Sequence, residues 1–228
     1  MPHDGWPRRL PLGLNQPLLP LPGSPHRIRR PGLCLLHWPG WLDPAARQLL
    51  HGHLLGPSIA WQQPQVQVYG RLHAVPRLVC WYGDPGCSYR YSGLCHQPLA
   101  WTPPLQQLRS LLRDQLGWDF NSLLLNRYRS GADRMGWHAD DEPELAADHP
   151  IASLSLGVAR PLQFRPRPAG RRGPSPLSAG QPPLALELGD GDLLLMEPPS
   201  QAHWQHGLPS RRKIAAERIN LTFRRIQT

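Results

Sequence analysis

The sequence predicts an α+β, mainly β domain: a jelly roll or β-sandwich with helices packed on one face. Three observations carry this. Eight short segments of strand character, separated by turn residues, fall within roughly a hundred residues after Gly117. The two clear helical segments precede those strands, so the helices stack on them as a group rather than alternating with them. At 228 residues, with 40% hydrophobic residues and nine Trp, the chain is long enough for one substantial core and short for two.

Residues 1–32 are rich in Pro and Arg, lack periodicity, and read as a flexible extension. Within them Leu10–Leu21 is apolar but broken by Pro11, Pro17 and Pro20, with no cleavage-site pattern, so it is not read as a signal peptide. The folded domain is expected over 33–228. Asp43–Leu55 reads as a helix with Asp43 as N-cap and Pro44 at its first position. Gln65–Tyr69 and Arg77–Tyr82 read as the two strands of a hairpin with Val68-Tyr69-Gly70 near its tip or edge. Thr102–Leu116 is the clearest helix. Thr102 is placed to cap it, Leu105, Leu108, Leu112 and Leu116 line one face, and Gly117 ends it. The predicted strands are Ser122–Tyr128, Met135–Ala139, Ile151–Leu156, Leu162–Arg165, Leu184–Leu188, Asp192–Met196, Ala202–His206 and Arg218–Arg224. Arg165–Pro183 interrupts them as a long exposed loop.

The formal charge is +9, of which Arg8, Arg9, Arg27, Arg29 and Arg30 against Asp4 place +4 before residue 31. A basic surface raises the local concentration of polyanions. However, Lys213 is the only lysine and the chain is crowded with Pro, Ala and Leu, so compositional bias explains part of this charge. Cys34, Cys80, Cys87 and Cys95 form no C-x-x-C pair and no zinc-ligand spacing. Such sparse use suits free thiols in a reducing, cytoplasmic setting. The longest apolar runs, such as Leu193–Met196, are far too short to cross a bilayer, so no membrane partner is expected.

Chemistry enters at His138-Ala139-Asp140. On a strand, residues i and i+2 share a face, and a later His206 from a neighbouring strand would complete two imidazoles and a carboxylate. That set suits non-haem Fe(II), because it leaves positions open for a cosubstrate and O2. Alone the motif says little: eleven His and eleven Asp yield about half a chance match in a chain of this length. Arg218-Ile219-Asn220-Leu221-Thr222-Phe223-Arg224 adds to it. Alternation puts Arg218, Asn220, Thr222 and Arg224 on one face and Leu221 and Phe223 on the other. Two guanidinium groups there are suited to a dicarboxylate, since each grips a carboxylate through paired hydrogen bonds that lysine cannot reproduce.

Taken together, these segments resemble the AlkB family of Fe(II)- and 2-oxoglutarate-dependent dealkylases. Asn126-Arg127-Tyr128, Trp137-His138-Ala139-Asp140-Asp141-Glu142, Pro150–Gly157, His203-Trp204-Gln205-His206 and Arg218–Arg224 look like successive family motifs in the right order. Trp81–Asp84 and Tyr89–Gly93 are similar to its substrate-lid region. The resemblance runs from about Val66 to Ile226. It implies a double-stranded β-helix core over about residues 120–226 and a lid over about 65–93. It implies that His138, Asp140 and His206 bind Fe(II), with His203 as a competing candidate at a non-ligand position. Asn126 and Tyr128 would hydrogen-bond 2-oxoglutarate. Arg218 and Arg224 would hold its two carboxylates, Arg224 at the terminal one.

The activity so implied is DNA repair by oxidative demethylation of 1-methyladenine and 3-methylcytosine. It is coupled to O2 and to decarboxylation of 2-oxoglutarate to succinate and CO2, with release of formaldehyde. Such bases are cationic and pair poorly, which lowers the cost of extruding them. Asp141, and more weakly Glu142, are either acceptors beside the cation or a solvated acidic turn. Tyr89 and Tyr91 either stack on the base or belong to the core. Tyr69 matches the wedge of family members that open duplexes. Arg165, Arg167, Arg171 and Arg172 either clamp phosphates or solubilise the loop. Competing readings keep the chemistry on RNA or protein, or make the chain a damaged-nucleic-acid-binding module without turnover. Single- and double-stranded DNA are both open as partners, and a monomer is expected.

Overall fold

The computed structural model describes residues 23–68, 70–87, 89–91, 94–168 and 177–227, without the side chains of 68, 89–91 and 94–96. Two antiparallel sheets face one another. The larger has seven strands, in the order β1 (His26–Arg30), β2 (Leu33–Trp38), β13 (Leu193–Glu197), β10 (Ile151–Gly157), β15 (Arg218–Arg224), β8 (Ser122–Tyr128) and β5 (Leu78–Gly83). The smaller has four, in the order β12 (Leu184–Leu188), β11 (Arg160–Pro166), β14 (Trp204–Leu208) and β9 (Met135–His138). From β8 to β15 the chain alternates between the sheets except at the β11–β12 hairpin, which stays in the smaller one, as in a jelly roll. No helix among the described residues is long and apolar enough to cross a membrane.

Period-two alternation divides each central strand between two environments. In β10, Ala152, Leu154 and Leu156 point outward under the helices, whereas Ser153 and Ser155 point into the space between the sheets. In β15, Ile219, Leu221 and Phe223 join the helix-covered core, leaving Arg218, Asn220, Thr222 and Arg224 to face inward. Helices α1 (Pro44–Leu55) and α2 (Pro103–Leu116) supply Ala46, Leu50 and Leu54, and Leu105, Leu108 and Leu112, to that core. Asp43 caps α1 by accepting from the Ala45 and Ala46 amides at 2.9 and 3.1 Å. Between the sheets, one end is apolar, with Leu35, Leu194, Phe164 and Trp204 among its members, and the other end is polar.

Several expectations change. The extension assigned to residues 1–32 contains β1, whose residues His26–Arg30 pair in register with His37–Leu33; Ile28 packs on the inter-sheet core and Arg30 donates to the Pro182 carbonyl at 2.8 Å. The hairpin forms between β3 (Gln65–Val68) and β4 (Arg71–Ala74), not between Gln65–Tyr69 and Arg77–Tyr82. Residues 78–83 instead pair with β8 as the edge of the large sheet. Ala202–His206 is not all strand, because a one-turn helix α3 (Ser200–His203) precedes β14. Arg165 belongs to β11 rather than to the long loop. Thr102 makes no capping hydrogen bond; its hydroxyl meets His53 Nε2 at 2.9 Å.

Candidate active site

The polar end of the inter-sheet space is a small pocket, partly open to the surface. Its lining includes all seven residues expected to hold metal and cosubstrate: Asn126, Tyr128, His138, Asp140, His206, Arg218 and Arg224. The small sheet brings three of them together. His138 on β9 lies directly across from His206 on β14, with ring centroids 4.2 Å apart. Asp140, two residues beyond His138, puts Oδ1 at 3.9 Å from His138 Nε2 and Oδ2 at 3.9 Å from His206 Nε2. One potential ligand atom from each residue falls within 4.8 Å of the others.

The protonation states suit a cation. His138 Nδ1 lies 2.9 Å from the Gly136 carbonyl, which can take its proton and leave Nε2 with a lone pair toward the pocket. Burial, reinforced by His138, pulls the His206 pKa down to about 3, so that ring is neutral. Burial raises the pKa of Asp140, but Arg224, His206 and His138 outweigh it and hold the carboxyl below its usual range. Asp140 Oδ2 is buried with no hydrogen-bond partner. A buried, unsatisfied carboxylate oxygen between two imidazole nitrogens is a defect that a divalent cation would repair.

The large sheet supplies the other half. Arg218 is 2% exposed; Nη2 donates to Ser155 Oγ at 2.8 Å, and the guanidinium carbon sits 5.7 Å from the Tyr128 ring centroid. Burial pulls its pKa to about 10, still charged at neutral pH. Burial also raises the Tyr128 pKa, keeping the phenol protonated. Asn126 accepts from Arg77 Nε at 2.8 Å. Arg224 Nη2 donates to Asp140 Oδ1 at 2.6 Å, so this guanidinium lies against the metal triad. Arg224 thus stands beside the metal triad, whereas Arg218 is held by Ser155. Both Nε–H groups are buried without a hydrogen-bond partner, so each has a donor left to offer. The residues thus fit both Fe(II) and a short dicarboxylate.

Comparison with known proteins agrees with this chemistry. A family model described as the 2OG-Fe(II) oxygenase superfamily matches residues 34–224. The human alpha-ketoglutarate-dependent dioxygenase alkB homolog 3 is 34% identical over 204 residues, which span 89% of this chain and 68% of that protein. The chain belongs to the AlkB family. Among other AlkB relatives, the DNA oxidative demethylases ALKBH2 of Homo sapiens and Mus musculus are 46% and 44% identical over 162 residues, or 71% of this chain. The match spans 61% and 66% of those two proteins, less than two thirds of each. The solved structure of OsALKBH1 superposes with a TM-score of 0.57 at 18% identity, covering 87% of this chain and all of that one, a likeness of fold.

On the substrate side of this AlkB site, Asp141 and Glu142 line a second, wider pocket that shares Asp140, Met196 and Arg224 with the first. Asp141 Oδ2 accepts from Arg167 Nη1 at 2.6 Å. The Glu142 carbonyl accepts the Leu145 amide at 3.0 Å in a short turn. Tyr89 and Tyr91 begin and end β6 (Tyr89–Tyr91), which pairs with β7 (Leu94–His96); their side chains, and Tyr69, Arg171 and Arg172, lie outside the described residues. Arg165 donates twice to Gln205 Oε1 and stacks 4.5 Å above exposed Trp137. His203 ends α3 outside the triad.

Sequence reasoning missed four supporting residues, Gln201, Ser153, Ser155 and Arg77. Gln201 Oε1 accepts the Asp140 amide at 3.0 Å. Ser153 and Ser155 hold Asn220 and Arg218. The serines had a legible signal, two small polar residues at i and i+2 in an otherwise apolar strand. Gln201 and Arg77 had none, because each acts across a long sequence gap.

Proposed function

We propose that this AlkB-family chain repairs DNA by oxidative demethylation of N-alkylated bases, 1-methyladenine and 3-methylcytosine among them. The observation that carries this reading is one pocket uniting the His138–Asp140–His206 triad with the Arg218 and Arg224 donors. The relatives named DNA oxidative demethylases, similar over 71% of the chain, support a DNA substrate.

In this reading His138 Nε2, His206 Nε2 and an Asp140 oxygen hold Fe(II). With 2-oxoglutarate, bound iron supplies O2-derived oxidation of the methyl carbon, giving succinate, CO2 and formaldehyde. The chain's residues prepare that step. Arg218 and Arg224 stand six residue steps apart on the strand, ~20 Å between Cα atoms, so the two long side chains reach in from opposite ends of the pocket. Arg218, between Ser155 and Tyr128, grips the terminal carboxylate; Arg224 steadies both Asp140 and the metal-end carboxylate. Asn126 and Tyr128 add neutral hydrogen bonds. Asp141 faces the cationic base, and Tyr89 and Tyr91 stack on it. Tyr69 wedges into duplex substrates, and its loss by Tyr69→Ala lowers activity on double strands more than on single strands. We also expect a monomer working in the cytoplasm.

The test is formaldehyde release from an oligonucleotide carrying one 3-methylcytosine, single- or double-stranded, in DNA and RNA versions. Release that requires iron and 2-oxoglutarate and disappears in His206→Ala is the expected result. Release from RNA alone would move the substrate. Bound 2-oxoglutarate with no release from any of these oligonucleotides would leave the fold and remove the repair reading.

A further inference from the structure

Asp141, assigned above to the cationic base, already holds a cation of this chain. Arg167 stands one residue past β11, and its Nη1 lies 2.6 Å from Asp141 Oδ2 and 3.2 Å from the Gln201 carbonyl. Its backbone N–H donates to the His203 carbonyl at 2.9 Å. The Gln201 and His203 carbonyls of α3 thus hold both the guanidinium and the backbone of Arg167. Arg167 and Asp141 are 33% and 43% exposed at their side chains, open enough for the carboxylate to exchange partners.

The geometry points to Arg167 as a specificity-determining residue: by occupying Asp141, it tempers the preference of the site for cationic over neutral bases. This rests on the demethylase reading. A bare carboxylate favours a cationic base by direct attraction. With a guanidinium fixed at 2.6 Å, an incoming cation must share the carboxylate or displace its partner, whereas a neutral base meets no such competition. Releasing Asp141 from Arg167 therefore helps the cation selectively. The factor is roughly two- to fivefold, the equilibrium equivalent of an exposed ion pair.

The experiment compares binding of single-stranded oligonucleotides carrying 3-methylcytosine, a cation, or 3-methyluracil, a neutral base of the same shape. Fluorescence anisotropy is read without O2, with Mn(II) and 2-oxoglutarate present, so that nothing turns over. Arg167→Gln and Arg167→Met are each expected to raise the 3-methylcytosine to 3-methyluracil affinity ratio two- to fivefold. In an Asp141→Asn background neither substitution should change it. An unchanged or lowered ratio in the single variants, with both affinities falling together, would make Arg167 a phosphate contact and overturn the inference. So would a rise that persists in Asp141→Asn. Failure of the demethylase reading appears separately, as absent formaldehyde release from the native protein.

Discussion

Arg218→Lys keeps the charge of the buried cation and removes its fork. In the native pocket, Arg218 is 2% exposed, held by Ser155 at 2.8 Å and set over the Tyr128 ring, with a buried Nε–H that has no protein partner. If that donor and the second nitrogen grip one carboxylate, lysine forfeits at least one charge-assisted hydrogen bond, worth about 1.5–3 kcal/mol. The dissociation constant for 2-oxoglutarate should then rise roughly 10- to 100-fold. A second effect follows from burial, which pulls the native arginine down to about 10. The same desolvation acting on lysine, which starts about two units lower, brings its titration close to neutral pH. Charge on a base with a lowered pKa is lost as pH rises, so the variant should weaken further between pH 7 and 9 while the native protein does not. Calorimetric titration with 2-oxoglutarate, with Mn(II) in the metal site, measures both. Affinity within threefold of native, or a pH-independent loss, would refute the assignment of Arg218 to the terminal carboxylate.

Other perturbations probe the surrounding structure. Gln201→Ala removes the acceptor of the Asp140 amide and should weaken Mn(II) binding about tenfold, read by calorimetry, with little change in the unfolding midpoint. Leu154→Ala, at a fully buried position beneath the helices, should lower stability by about 2–5 kcal/mol in urea unfolding. Burial raises the Asp133 pKa, but hydrogen bonds from the Arg129 side chain and amide overcome it and hold the carboxyl below its usual range. A depressed carboxyl stabilises above its unfolded value of about 3.9, and that contribution is lost as pH falls through the folded value. Asp133→Asn should therefore be less stable than native at pH 7, with the gap narrowing below about pH 4; a gap that persists unchanged at pH 2 would contradict this.

What could be read from sequence depended on where the stabilising contacts lie. The strands of residues 122–128, 184–188 and 218–224 have the predicted bounds, because each alternates between an apolar and a polar environment. Strand β4 is exposed at all four residues and carries no such pattern, so its pairing with β3 was invisible and residues 77–82 seemed the nearer partner. Strand β1, with the sequence HRIRR, is held by backbone pairing to β2, by Ile28 in the inter-sheet core and by the Arg30 bond to Pro182. The seven pocket residues were legible because their chemistry is particular to type and order along the chain. The Arg224–Asp140 contact was not: it spans 84 positions, and it is what decides which arginine stands beside the metal.

The two-sidedness of β15 has an evolutionary consequence. Its odd-numbered residues, Ile219, Leu221 and Phe223, pack in the helix-covered core, while Arg218, Asn220, Thr222 and Arg224 line the pocket. A lineage can therefore repack the first set to suit a new working temperature while leaving the second untouched. Altering the second set changes the fit to the acid cosubstrate and also the hydrogen bonds that Arg218 and Asn220 make to Ser155 and Ser153. Seven consecutive residues so divided behave as two interleaved inheritances, free to drift at different rates within a single strand.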